Sequence, residues 1–146
     1  MNKLIILFAI VVAAAGFGYR ATAQSAEEAA VRAALEHYFR GHATGQGEHF
    51  RKVFHTDSKL YAIREDKFWS ITSEQYISRA SGSAPADEAK RKRTIESVDI
   101  TGSAAIAKVV LDYPQVKFTD YMSLLKVDGT WMIVNKTFHA EPKTVK

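Results

Sequence analysis

Val31, Leu35, Tyr38, Phe39 and His42 recur at spacings of four, three, one and three, which predicts a helix with one stripe turned to an apolar surface. Ser25 followed three residues later by Glu28 predicts a capping box at its start. The stripe stops at Thr44-Gly45-Gln46-Gly47, a turn. Phe50, Val53 and Phe54 then predict one or two further helical turns before the polar His55-Thr56-Asp57-Ser58. Lys59 to Arg64 and Phe68 to Thr72 are short aromatic and β-branched runs around Glu65-Asp66-Lys67, which predicts a small hairpin. Thr72 with Gln75 forms a second capping box opening a brief helix that carries Tyr76 and Ile77. Ser81-Gly82-Ser83-Ala84-Pro85 closes that helix into a loop, expected to be mobile, running to about Ala89.

Beyond the loop the period changes to two. Strands are predicted over 91–101, 104–113, 117–127 and 130–139, turned at Gly102-Ser103, at Pro114 and at the hairpin dipeptide Asp128-Gly129. Helices first and antiparallel strands afterwards predict an α+β domain, the helices covering one face of a curved sheet. Ala105, Ala107, Val109, Leu111 and Tyr113 share the face expected to point inward, opposite Lys108 and Asp112. In the last strand Trp131, Ile133, Asn135, Thr137 and His139 alternate with Met132, Val134, Lys136 and Phe138. Both faces carry apolar groups, as a second covered surface such as a dimer contact would require.

The amino terminus follows a different logic. Asn2 and Lys3 precede an unbroken apolar run from Leu4 to Ala15, and Ala21-Thr22-Ala23 supplies the small residues a signal peptidase reads. Residues 1–23 are therefore expected to be a signal peptide removed before Gln24, leaving a domain over 24–146. The run is shorter than the ~20 residues that span a bilayer, so no stable membrane insertion is expected after cleavage. Export in a chain with no Cys suggests a bacterial periplasmic or secreted protein. The net charge of +4 includes Lys3 and Arg20 of that leader. The remaining excess is too small to predict a nucleic-acid partner.

Several segments together resemble a known family: the helix with Tyr38-Phe39, the stretch Val53-Phe54-His55-Thr56-Asp57, Asp120-Tyr121-Met122-Ser123-Leu124-Leu125, and Gly129-Thr130-Trp131-Met132-Ile133-Val134-Asn135-Lys136. The chain is similar to the putative lumazine-binding family of the nuclear transport factor 2-like superfamily, also called cystatin-like or SnoaL-like. The resemblance spans nearly all of Glu27 to His139. It implies a cone-shaped α+β fold, a strongly bent sheet wrapped around helices with a pocket at the open end. The superfamily includes ketosteroid isomerase, scytalone dehydratase, limonene epoxide hydrolase and polyketide cyclases beside members without catalysis, so fold does not choose the function.

Candidate chemistry rests on groups able to converge in such a pocket. His55 and Asp57 form a possible base and orienter, although a turn-forming Asp beside a partly buried His explains the same pattern. Asp120 stands in a strand against propensity. It either serves the pocket or pairs with Lys136 or Lys117 on an exposed face, and Tyr121 beside it must point to the opposite side. Tyr61, Trp69, Tyr113 and Tyr121, with Asn135 and His139, are the candidate ligand-binding residues; aromatics at strand spacing are more often core, and so is Trp131. The five His residues show no metal-ligand spacing, and no phosphate loop or nucleophile elbow is present, so neither metal nor cofactor is expected. Lys90-Arg91-Lys92-Arg93 is expected to be a solvated strand entry. These features favour an exported homodimer that binds a small apolar or aromatic molecule. The alternatives are a small isomerase, dehydratase or hydrolase using His55, Asp57 or Asp120, and a non-catalytic dimeric interaction module.

Overall fold

The computed structural model describes residues 24–144. The apolar leader and its cleavage position lie outside them. Helix α1 occupies 24–44, α2 Gly47–Arg51 and α3 Ser73–Ile77. Six strands follow the chain as β1 Phe54–Arg64, β2 Lys67–Thr72, β3 Lys92–Thr101, β4 Ala104–Asp112, β5 Val116–Val127 and β6 Thr130–Pro142. They form one sheet in the order β2-β1-β6-β5-β4-β3. The expected antiparallel ladder holds for four of the neighbouring pairs, and β1 runs parallel to β6. The sheet is therefore mixed. The first hairpin reaches the last strand only after the chain has crossed the sheet, a long-range pairing that local periodicity does not encode. No helix among the described residues is long and apolar enough to cross a membrane.

Local chemistry accounts for most of the boundaries. Thr72 and Gln75 form the expected capping box, each side chain bonding the other's backbone N–H. Asp128 and Gly129 both take positive φ, the geometry of a two-residue hairpin turn. Glu65 and Asp66 do the same between β1 and β2. The box expected at Ser25 is not formed, because residue 24 is already helical and Glu28 pairs forward with Arg32 at 2.8 Å.

Val31, Leu35 and Tyr38 are completely buried on the stripe of α1, against the inward face of β4 that carries Ala105, Ala107, Val109 and Leu111. At the narrow end, the Glu27 carboxylate accepts from Lys126 at 2.6 Å and from the Trp131 indole at 2.9 Å, tying α1 to the β5–β6 hairpin.

Besides the register shift between Phe54 and Lys59 in the β1–β6 pairing, two interruptions of the antiparallel ladders bend the sheet. In β3, Ile95 pairs with Val109 but Ser97 with Lys108, leaving Glu96 as an extra residue. In β6, Ile133 pairs with Leu124 but Asn135 with Ser123, leaving Val134 as the extra residue. Such a bulge increases twist and changes the side-chain phase. Trp131 and Ile133 face inward before it, Lys136 and Phe138 after it.

The loop after α3 is tied to α1. The Gly82 N–H donates to the Gly45 carbonyl at 2.8 Å, and Gly45, at φ 69°, ends α1 where a Cβ would strike the Ser83 carbonyl. The expectation of a free loop gives way to one that forms a wall of the open end. The basic run divides by strand phase. Lys90 and Lys92 are exposed, whereas Arg93 makes a bidentate pair with Glu88 at 2.6 and 2.7 Å and Arg91 pairs with Asp87 at 2.7 Å. The solvated entry is thus only half solvated, because alternate residues of a strand turn to the covered side.

Candidate functional site

Tyr38 and His42 lie one turn apart on α1, so their polar tips project from the same buried face. On β5 the inward phase places Asp120 beneath them, fully buried. On β6 the bulge at Val134 turns Lys136 to the same interior, where it is 4% exposed. α3 supplies Tyr76, held over the opening by the bidentate ion pair between Arg51 of α2 and Glu74 at 2.6 and 3.0 Å. Tyr38, His42, Tyr76 and Lys136 line a cavity of 310 Å³ at the open end of the cone, and Asp120 is buried behind them. That volume accommodates one or two rings.

The polar groups form two connected sets. The Tyr38 hydroxyl donates to Asp120 Oδ2 at 2.6 Å and accepts from Lys136 Nζ at 2.9 Å. Nζ stands 3.4 Å from the same carboxylate oxygen. Above them the Tyr76 hydroxyl bonds His42 Nε2 at 2.9 Å. Burial pushes both phenols well above their usual range, with the Asp120 charge acting in the same direction. Both therefore stay protonated donors at neutral pH. Burial holds His42 well below its ordinary value, reinforced by Lys136, Arg93 and Arg91, so its imidazole is neutral and the tautomer decides which partner donates in the Tyr76 bond. Burial also lowers the Lys136 ammonium, against the opposing pull of Asp120. Asp120 Oδ1 is buried with no hydrogen-bond partner among the described residues.

The mouth is cationic. Arg64 lies over the Trp69 ring at 4.1 Å and Arg79 approaches the same ring at 5.9 Å. Both are exposed, both line the cavity, and neither forms an ion pair among the described residues.

The six candidate ligand-binding residues separate accordingly. Trp69 lines the cavity. Tyr113 is core behind it, 6.1 Å from His42 and accepting from Arg93 at 3.2 Å. Tyr61 packs on Phe68 outside, and Tyr121 is half exposed, opposite Asp120 as strand alternation requires. Asn135 and His139 were placed on the Trp131 face by regular alternation. The bulge at Val134 gives that face to Lys136 and Phe138 and turns Asn135 and His139 away.

His55 and Asp57 lie at the start of β1, outside the cavity lining. Nδ1 of His55 accepts from the Asp57 N–H at 3.2 Å, the Asp57 side chain is 92% exposed, and the His55 carbonyl accepts from Ser58 and Ser73. Asp120 pairs with Lys136 as expected, but inside the cone instead of on an exposed face, and it lies behind the cavity lining.

Tyr38, His42, Tyr76 and Lys136 were not among the candidates. Polar tips at i and i+4 on an otherwise apolar stripe were a visible signal for the first two. Lys136 was hidden by the bulge.

The sequence profile of the putative lumazine-binding family matches residues 26–139. This chain belongs to that family. It is 27% identical over 121 residues to a protein of Cladobotryum sp named aldolase FrzH, covering 82% of this chain and 95% of that one. Solved structures give the same fold. A nuclear transport factor 2-like protein of unknown function from Shewanella baltica OS155 is 27% identical, with a TM-score of 0.72 over 82% of this chain and 97% of that one. A counterpart from Methylobacillus flagellatus KT is 29% identical, with a TM-score of 0.68 over 79% and 92%. The cone-shaped fold expected from the resemblance is the fold observed.

Proposed function

We propose that this member of the putative lumazine-binding family binds a small, planar, anionic carbonyl compound in the open end of its cone. The observation that carries the reading is the placement of Lys136 Nζ and the Tyr38 hydroxyl at the inner end of an aromatic cavity whose outer end presents Arg64 and Arg79. Trp69, Tyr76, Phe118 and Phe138 offer ring faces and edges to a flat ligand. The inner cation and hydroxyl suit a carbonyl oxygen, and the two guanidiniums suit a carboxylate or phosphate. The name of the Cladobotryum relative, an aldolase, supports a carbonyl compound as the ligand class.

The test is a titration of residues 24–146 with phenylpyruvate and with lumazine, followed through the two indole N–H resonances. The expected result is a saturable shift of Trp69 with Trp131, 3% exposed in the core, unmoved. No saturable shift with either compound overturns the reading.

Two further features belong to the same proposal. The outer sheet face exposes Ile106, Tyr121 and Leu125 at 59%, 50% and 42%, and a second copy of the chain is the proposed cover. Sedimentation at micromolar concentration tests it, a monomer counting against it. The apolar leader supports export with cleavage before Gln24, tested by the amino-terminal sequence and cell fraction of the expressed full chain.

A further inference from the structure

We infer that Lys136 does more than bind the ligand: its amine, held at the cavity floor between the Tyr38 hydroxyl and Asp120, condenses with an aldehyde or ketone group to form an imine. The inference rests on the carbonyl-binding reading above.

The geometry is unlike that of a lysine kept only to neutralise a buried carboxylate. Such a pair is expected at the 2.7–2.9 Å of a direct charged hydrogen bond, yet Nζ lies 3.4 Å from Asp120 Oδ2. The carboxylate oxygen is already engaged by Tyr38 at 2.6 Å, and among the described residues the one direct hydrogen bond made by Nζ is to the Tyr38 oxygen. Three aromatic rings stand close to it, Phe138 at 4.7 Å and Tyr38 and Tyr76 at 5.2 Å, and the Arg64 charge also acts on it. An apolar enclosure disfavours the ammonium and so favours the nucleophilic free amine, as the lowered Lys136 value agrees.

The same groups provide for every proton in the step. The ammonium releases one proton to Asp120, across 3.4 Å or through the Tyr38 hydroxyl that bonds both. The free amine attacks the carbonyl carbon, a C–N bond forms, and the π pair moves to oxygen. That oxygen takes a proton from Tyr38, which regains one from the new nitrogen, giving a carbinolamine. The nitrogen lone pair then expels the oxygen, which leaves as water with the proton returned by Asp120. The sum is one ammonium and one carbonyl converted to one protonated imine and one water. Asp120 remains as the counter-ion, and its unpartnered Oδ1 leaves the carboxyl free to hold the proton between the two stages.

Pyridoxal 5′-phosphate is a suitable probe because it combines a flat ring, an aldehyde and an anionic group. The protein is exposed to a limiting amount, reduced with cyanoborohydride and mapped by peptide mass spectrometry, in parallel with the phenylpyruvate titration. The expected result is one reduced adduct per chain, on Lys136 ahead of the exposed Lys59 and Lys67, and lost when phenylpyruvate is present at saturation. Lys136→Arg retains a cation beside Tyr38 but has no condensing amine. In that variant, checked for folding by its thermal transition, the adduct at position 136 should disappear while the slower modification of Lys59 and Lys67 persists. Modification of exposed lysines with Lys136 untouched, alongside saturable phenylpyruvate binding, overturns the imine and leaves the binding reading standing. Absence of saturable binding overturns both.

Discussion

Asp120 of β5 and Lys136 of β6 face the same interior from adjacent strands, their charged groups 3.4 Å apart and each almost without solvent contact. The pair exists because Val134 is an extra residue in β6, which turns Lys136 inward. Removing one member leaves an uncompensated buried charge, a loss of about 3–5 kcal/mol, whereas replacing both by apolar residues of similar size is far less costly. Lys136→Met and Asp120→Leu should each be strongly destabilised, and the double variant should be more stable than either. Urea denaturation of the four proteins checks this; losses that simply add would mean the two charges do not interact.

Trp131 presents a separate case. Its ring is core, 3% exposed, and its indole N–H reaches Glu27 on α1. Trp131→Ala should lower stability by about 3–5 kcal/mol, the range for deleting a large buried aromatic side chain. Loss of ligand response at unchanged melting temperature would contradict a core role.

Much of this architecture is legible along the chain. Capping at Thr72, the turn at Asp128-Gly129 and the inward set of β4 follow from local rules of hydrogen bonding and alternation. The parallel pairing of β1 with β6 does not, since it joins residues nearly eighty positions apart, such as Phe54 and Ile133, with no local signature. The site was harder to read for one physical reason. Strict alternation assigns Asn135 and His139 to the face of Trp131, but one unpaired residue reverses the phase and delivers Lys136 and Phe138 instead. Asp120 remained visible because a carboxylate in a strand is unfavourable unless something inside satisfies it. Tyr38 and His42 are legible in the helical stripe, their polar tips at i and i+4 being the signal for a polar group inside, while the partners they meet come from distant strands.

Stability should fall with pH in a window set by His42. Its folded value is depressed by burial and then by Lys136, Arg93 and Arg91, while the unfolded value is the ordinary 6.5. Below 6.5 the unfolded chain takes up a proton that the folded chain refuses, so stability is full above that pH and declines as pH falls, by up to about 1.4 kcal/mol per unit. His37, also lowered chiefly by burial, acts in the same direction. Glu27 and Asp112, whose folded values are lowered by their Lys partners, contribute only nearer the ordinary values of 4.5 and 3.8. His42→Gln keeps a hydrogen-bond partner for Tyr76 and removes the titration. Its melting temperature should vary less than that of the parent between pH 6.5 and about 5; parallel curves would remove His42 as the cause.

Arg64 and Arg79 make the last prediction, because they separate the anionic half of the ligand class from its carbonyl half. Both flank Trp69 and are exposed, whereas Lys136 is buried, although Arg64 and Lys136 share the Phe138 ring at 5.7 and 4.7 Å. Phenylpyruvate and phenylacetone share the ring and the ketone and differ in the carboxylate. The guanidiniums are exposed, so their contribution is that of a screened pair, about 1 kcal/mol or roughly fivefold in affinity for each. Phenylpyruvate should therefore bind more tightly than phenylacetone, and its advantage should shrink as salt is raised. In the Arg64→Met, Arg79→Met double variant the two ketones should bind alike, with phenylacetone unchanged from the parent. Calorimetric titration of both compounds against both proteins decides the point. A phenylpyruvate preference that survives the double substitution would place the anion elsewhere, with Lys136 and Arg91 as the remaining basic residues of the cavity lining.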